Sequence, residues 1–294
     1  MKKIVLTGAN GFLGQHLTLF LAAYDYKVFT TGRGDCRIPV KKPFEYFGID
    51  LTDKAAVQEM ILATKPDVII HNAAMSKPDE CENDKAACIL HNVTTTQYLV
   101  EAANAVGVKL IYISTDFIFG EDGPHAVDAI PNPLNFYGAS KLEAEIFVKN
   151  NAANYAIVRP VFIYGPAWEG MRPSFLHWVK NNLEAGKTIK VVSDQLRTPT
   201  YVVDICKGLK TIIDNDHQGD FHLAGKDILS PYEMAIAVAN VLKLNAEMIV
   251  KVTADTFPEP VKRAKKSGLK IDKSIEVLNY QPVSFNEGIL LTFQ

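Results

Sequence analysis

The chain opens on a short apolar run, Ile4-Val5-Leu6. It passes directly into Thr7-Gly8-Ala9-Asn10-Gly11-Phe12-Leu13-Gly14 and then into a stretch of helical period. No other feature limits the fold as tightly. Gly8 permits the tight turn, Gly11 lets the backbone approach a pyrophosphate, and Gly14 lets the helix pack closely on the sheet. Open N–H groups at the helix start, together with the helix dipole, favour an anion. Such a unit needs parallel strands beside it, and the sequence supplies candidates. β-rich runs at residues 3–7, 27–31, 67–71, 109–113 and 156–159 alternate with helical patterns at 12–23, 54–64, 84–105 and 137–150. Continuous apolar strands separated by helices imply parallel strands buried on both faces and joined by right-handed crossovers. The expected class is α/β, a doubly wound parallel sheet.

After residue 160 the texture changes. Pro160, Pro166, Pro173, Pro199 and Pro231 cut the chain into shorter elements, with helical patterns at 174–185, 203–214 and 231–242. Ser230-Pro231-Tyr232-Glu233 reads as a helix start, with Ser230 as N-cap, Pro231 first and Glu233 third. The expected organisation is a Rossmann-type nucleotide domain over residues 1–160 and a smaller, mostly C-terminal α/β substrate lobe over 161–294. Segments such as 200–225 are expected to return to the first domain. A cleft between the lobes is the expected ligand site.

Composition narrows the function classes. With 294 residues, 48% hydrophobic and 22% charged, the chain can bury a large core without disulfide or metal staples. A net charge of −2 argues against a nucleic-acid binder or a polybasic membrane binder. No apolar run approaches the roughly 18 residues that span a bilayer. Met1-Lys2-Lys3 leads straight into the first strand, too short a lead for a signal-peptide core. The expected setting is cytoplasmic. Cys36, Cys81, Cys88 and Cys206 form no C-x-x-C pair and the histidines are scattered, so no metal site is expected.

The second strand bears on the cofactor. It continues into Gly32-Arg33-Gly34 with no acid at its end, and Arg33 sits where a ribose 2′-phosphate would lie. That favours NADP(H) over NAD(H). Asp35 keeps NAD(H) open, and Arg33 as a solvated loop charge is the plain alternative. Further on, before the helical pattern at 54–64, Asp50-Leu51 are candidates to meet the adenine, and Asp53 reads equally as a helix N-cap. The run at 109–113 leads into Ser114-Thr115-Asp116, and Tyr137 and Lys141 follow, four apart on one helix face. A lysine ammonium beside a tyrosine lowers the phenol pKa, so Tyr137 is expected as proton donor. Thr115 is expected to bond the same substrate oxygen.

With these motifs the chain resembles the extended short-chain dehydrogenases/reductases, specifically dTDP-4-dehydrorhamnose reductases. The resemblance is carried by the glycine turn, Asn72-Ala73-Ala74, Ser114-Thr115-Asp116-Phe117-Ile118-Phe119-Gly120, Tyr137-Gly138-Ala139-Ser140-Lys141 and Arg159-Pro160. Asp194-Gln195-Leu196-Arg197-Thr198-Pro199-Thr200 and Gly219-Asp220-Phe221-His222-Leu223-Ala224-Gly225 extend it into the second lobe. The resemblance implies Tyr137 as general acid/base and Lys141 as a further cofactor contact. It also implies Thr115 as the carbonyl-polarising group and Asn72, Ala73 and Ala74 along the cofactor. It implies hydride transfer to C4 of a nucleotide-linked 4-keto-6-deoxy sugar. Dehydratases of this superfamily resemble one another in carrying Thr-Asp-Glu; Phe117 replaces that glutamate here. Two departures bear on substrate identity: Arg197 stands where a glycine is usual, and Pro260-Val261-Lys262-Arg263-Ala264 replaces an Arg-Pro segment.

Lys77, Asp116, Phe117, Trp168 and Arg197 complete the substrate candidates. Two have a plain alternative: Arg197 as an ion pair with an acid such as Asp204, and Trp168 as a cover over the core; Lys77 would face the substrate from the loop after residues 67–71. Asp79-Glu80-Cys81-Glu82 reads as a solvated helix start rather than a metal site. Two other functions remain open. One is an epimerase or another carbonyl reductase. The other is an NADP-binding regulatory protein, because the chain also resembles the beta subunit of methionine adenosyltransferase. A homodimer is possible in each case.

Overall fold

The computed structural model describes residues 1–39, 43–257 and 261–294. Its main sheet has seven parallel strands: β1 (Lys2–Thr7), β2 (Tyr26–Gly32), β3 (Phe44–Gly48), β4 (Val68–His71), β5 (Lys109–Ile113), β6 (Tyr155–Arg159) and, far along the chain, β10 (Gly219–His222). Their spatial order is β10-β6-β5-β4-β1-β2-β3. Between β6 and β10 lie β7 (Ile163–Tyr164), β8 (Ile189–Val192) and β9 (Thr200–Tyr201), and β11 (Ile249–Val252) follows. These form two short parallel pairs, β7 with β9 and β8 with β11.

Apolar side chains point to both faces of the main sheet, so both faces are covered. On one face Ile4, Leu6, Val28, Ile70 and Ile111 pack with Leu17 of helix Phe12–Leu21 and with Ile205, Leu209 and Ile212 of helix Val202–Asp214. On the other, Val5, Ile69, Leu110 and Ile157 meet residues of helices Lys54–Thr64, Thr95–Val106 and Phe136–Asn151. A separate core forms the second lobe, with Leu176 and Val179 of helix Phe175–Glu184 against Met234 and Val238 of helix Pro231–Leu242 and Ile289 of helix Phe285–Thr292. Helix Pro231–Leu242 starts on the expected capping box, Ser230 accepting from Glu233 N–H while the Glu233 carboxylate accepts from Ser230 N–H.

One expected helix is not continuous. Residues 84–105 divide into helix Lys85–Ile89, a widened turn at Leu90–Thr94 and helix Thr95–Val106, preceded by a short helix Pro78–Asn83. The apolar spacing alone cannot reveal a widened turn, because it shifts the face by a fraction of a residue. Such turns recur at functional sites, and this one borders the cleft. Among the described residues, no helix is long and apolar enough to cross a membrane.

Candidate active site

The strand order reverses at β1, whose neighbours β4 and β2 leave in opposite directions. Ligands of doubly wound sheets bind at this point, beyond the carboxyl ends of the strands. A cleft of about 780 Å³ opens there. It gathers residues scattered over the first 163 positions. Gly8, Asn10, Gly11, Phe12 and Leu13 line it from the glycine turn, and Arg33, Asp50 and Leu51 from the ends of β2 and β3. Asn72, Ala73, Ala74 and Lys77 line it after β4, followed by Thr115, Asp116, Phe117, Tyr137 and Lys141.

The turn is tied to the β4 exit. Gly8 has φ 71°, and a Cβ there would lie 2.7 Å from the Ala73 nitrogen, so only glycine lets the two exits approach. Thr7 Oγ1 accepts from Asn72 N–H and Ala73 N–H, at 3.1 Å each, and lies 2.8 Å from His71 Nδ1. With both acceptances used, the hydroxyl donates to Nδ1. The ring proton then sits on Nε2, facing Thr96 Oγ1 at 3.1 Å, and Thr96 donates to the Asn92 carbonyl at 2.6 Å. Burial holds His71 neutral, its pKa lowered to about 3, with the Lys141 charge adding to the shift.

Two turn residues, both candidates for the cofactor, act on the protein's own backbone. Gly14 does not line the cleft. A Cβ on it would lie 2.1 Å from the Gly8 carbonyl oxygen, so its role is to let the helix pack beneath the turn. Asn10 borders the cleft, but its side chain is taken by the loop after β2. Its amide donates to the carbonyls of Arg33 and Asp35 and to Tyr46 Oη, and its Oδ1 accepts from Arg37 N–H. Asp50 accepts from the Thr52 N–H and hydroxyl, and the N–H bond is the largest influence holding its carboxyl below the usual range. Asp53 is an N-cap, accepting from Ala55 and Ala56 N–H.

The Tyr137–Lys141 pair stands opposite Thr115. Asn135 caps helix Phe136–Asn151 by accepting from Gly138 N–H at 3.0 Å, which fixes Tyr137 in the first turn. The Tyr137 ring meets Phe117 edge-on at 5.4 Å, and both Tyr137 and Thr115 line the cleft. Lys141 is 2% exposed; its Nζ donates to the Ile113 carbonyl at 2.8 Å and lies 4.1 Å from the Tyr112 ring centre.

The expected lowering of the Tyr137 pKa does not occur in the chain alone. Burial pushes the phenol up; the Thr115 hydroxyl opposes that, and the Asp116 charge adds to it. Spacing put the lysine on the correct face, but its ammonium is directed at a backbone carbonyl. Burial also lowers Lys141 to about 7, with the Glu145 charge opposing the shift.

A pH dependence follows. The folded pKa of Lys141 lies below the unfolded value of about 10.4. Between the two the unfolded chain binds more protons, so this group's contribution to stability rises as pH climbs through 7 toward 10. Lys141→Met is therefore expected to raise the melting temperature more at about pH 6 than at about pH 9. Thermal denaturation without added nucleotide checks it, and an equal increment at both would contradict the assignment.

The substrate candidates divide. Asp116 is 4% exposed and accepts from Ser267 Oγ at 2.9 Å and from Thr115 at 3.2 Å. Burial raises its pKa, with Arg197 opposing. Lys77 borders the cleft with its ammonium on Glu80. Trp168 is not in the cleft. Its indole N–H donates to Gln15 Oε1 at 2.8 Å and its ring packs on His16, clasping the second lobe to the helix after the glycine turn. Arg197 is 8% exposed and lines a narrow side cavity with Asp116, Phe117, Asn135, Arg263 and Ser267. It does not pair with Asp204, which accepts instead from Lys207 and from Val283 N–H. In the segment after residue 260, Lys262 carbonyl accepts from Asn135 and Arg263 reaches Asp79 at 3.2 Å; Pro260 itself lies outside the described residues. The acidic run is neutralised pairwise, Asp79 by Arg263, Glu80 by Lys77 and Glu82 by Lys85.

Sequence reasoning missed Arg37, Met75, Ser114, His91, Thr95 and Pro160–Ile163, all of which line the cleft. Two carried a signal: Arg37 is a second cation four residues beyond Arg33, and Ser114 precedes Thr115. The Ser114 hydroxyl is buried with no hydrogen-bond partner among the described residues. That orphan, and the glycine cradle, fit a bound dinucleotide.

The comparisons with known proteins agree with this fold. The family model for the RmlD substrate binding domain matches residues 1–294. The chain belongs to the RmlD substrate binding domain family. Its relatives and structural neighbours include dTDP-4-dehydrorhamnose reductases, in support of an oxidoreductase. A dTDP-4-dehydrorhamnose reductase of Aggregatibacter actinomycetemcomitans is 28% identical over 302 residues, covering 98% of this chain and 97% of that one. The methionine adenosyltransferase 2 subunit beta of Xenopus tropicalis is 33% identical over 259 residues, 86% of this chain and 75% of that one. In structure, the Bacillus anthracis dTDP-4-dehydrorhamnose reductase in complex with NADP superposes with TM-score 0.87 at 28% identity, covering 99% and 98% of the two chains.

Proposed function

We propose that this chain is an NADP(H)-dependent reductase of a nucleotide-linked 4-keto-6-deoxy sugar, of the dTDP-4-dehydrorhamnose type, working in the cytoplasm. The observation that carries the reading is the convergence of Thr115, Tyr137 and Lys141 on the cleft that the glycine turn lines. The cofactor, when bound, supplies the hydride. The protein's own residues do the rest. Thr115 orients the carbonyl oxygen, and Tyr137 gives it a proton. A phenol whose pKa is raised by burial stays protonated at neutral pH, which suits the reducing direction. Lys141 braces the end of β5 through the Ile113 carbonyl and would supply a further contact to the cofactor when bound. We place the nucleotide domain at residues 1–160, with residues 219–222 returning to its sheet, and the substrate lobe after it. NADPH consumption on addition of dTDP-4-keto-6-deoxy sugars tests the reading; binding of both ligands without consumption would remove it.

Arg33 supplies the cofactor preference. A charge-assisted bond to phosphate is worth about 1.5–3 kcal/mol. Arg33→Ala is thus expected to weaken NADPH binding about 10- to 100-fold and leave NADH nearly unaffected. Titration of cofactor fluorescence checks this, and equal loss for both cofactors would contradict it.

A second reading is favoured by the 33% identity to a methionine adenosyltransferase beta subunit. On it, the chain is an NADP-binding regulatory subunit. Its signature would be stable association with a methionine adenosyltransferase catalytic subunit, with no NADPH turnover on any keto sugar.

A further inference from the structure

The loop that carries both cleft arginines is held by two side chains. Asn10, in the glycine turn, donates to the carbonyl of Arg33 at 3.2 Å and of Asp35 at 3.0 Å, and accepts from Arg37 N–H at 2.9 Å. Tyr46, on β3, donates its hydroxyl proton to the carbonyl of Gly34 at 2.9 Å and accepts from Asn10 Nδ2 at 2.9 Å. Three consecutive carbonyls and the next arginine's N–H are thus fixed by one amide and one phenol. Gly32 leaves room for the pair: a Cβ there would lie 3.0 Å from Asn10 Nδ2 and 3.1 Å from Tyr46 Oη. The loop itself is exposed, and no strand partner holds residues 33–37.

We propose that Tyr46, acting through Asn10, is a positioning residue that presets Arg33 and Arg37 to receive the adenosine 2′-phosphate, so that it sets cofactor choice without lining the cleft. Holding a loop in its binding conformation removes the ordering cost that association would otherwise carry. The saving applies only to the ligand that uses the loop. A dinucleotide with a plain 2′-hydroxyl makes its contacts at the glycine turn and the β4 exit, and gains nothing from the latch. The inference rests on the NADP(H) reading above and deepens it by naming what builds the phosphate pocket.

Tyr46→Phe keeps the ring and removes only the hydroxyl. The probes are 2′,5′-ADP and 5′-ADP, with NADPH and NADH alongside, each titrated against the full chain by calorimetry. The expected result is a loss of roughly tenfold for 2′,5′-ADP and NADPH, with 5′-ADP and NADH unchanged and the melting temperature nearly so. Equal weakening of all four ligands would show a merely structural tyrosine and overturn the proposal. So would a variant that keeps the wild-type preference. If the wild-type chain itself fails to prefer NADPH over NADH, the cofactor reading falls and takes the latch with it. Asn10→Ala serves as the second variant, expected to lose the same preference from the other side of the latch.

Discussion

Tyr137→Phe is expected to cut turnover by about 100- to 10,000-fold, the usual worth of a positioned general acid, while NADPH affinity stays nearly unchanged. Burial raises the phenol pKa, so Tyr137 holds a proton to give at neutral pH, and the Asp116 carboxyl beside Thr115 already accepts from Ser267 and Thr115. Phenylalanine keeps the edge-on packing against Phe117 and the buried contacts with Cys81 and Cys88, so the fold should not respond. Loss of kcat with cofactor affinity retained would separate proton transfer from binding. A variant with normal turnover would remove Tyr137 as the donor.

Arg159→Leu is expected to cost about 3–5 kcal/mol of stability, because it strands a buried carboxylate. Arg159 is 2% exposed and binds Glu145 through two nitrogens, at 2.9 and 2.7 Å; Glu145 is 1% exposed. The same guanidinium reaches Asp220 at 2.8 Å, joining β6, helix Phe136–Asn151 and β10. Asp220 keeps Lys149 as a partner, but Glu145 has no second cation bonded to it among the described residues. The double variant Arg159→Leu with Glu145→Leu should therefore recover most of the loss. Urea denaturation measures both. A double variant as unstable as the single one would mean that the pair matters through packing rather than charge.

The main sheet was legible because strands buried on both faces write themselves as apolar runs. The runs at residues 3–7, 67–71 and 109–113 fall within a residue of β1, β4 and β5. Helix starts were legible where a side chain caps them, as at Asp53 and Ser230. What failed depends on partners distant in sequence. Nothing near Trp168 announces Gln15, and nothing near Asn10 announces the loop that begins 23 residues on at Arg33. The direction of the Tyr137 pKa shift is hidden for the same reason. Helical spacing gives the side on which Lys141 stands but not the depth of burial or the carbonyl its ammonium prefers. Arg197 was read against Asp204, seven residues on, whereas the chain folds it toward Asp116 instead.

The claim that joins all of this is a direct transfer between a nicotinamide held at the glycine turn and a sugar carbonyl held at Tyr137. NADPH carrying deuterium at C4 of its nicotinamide, prepared with either face labelled, puts it to the test with dTDP-4-keto-6-deoxy sugar as acceptor. One of the two labelled cofactors should deliver its deuterium to C4 of the product sugar, in step with NADPH loss. Binding of both ligands with no deuterium in the sugar from either cofactor would contradict the account.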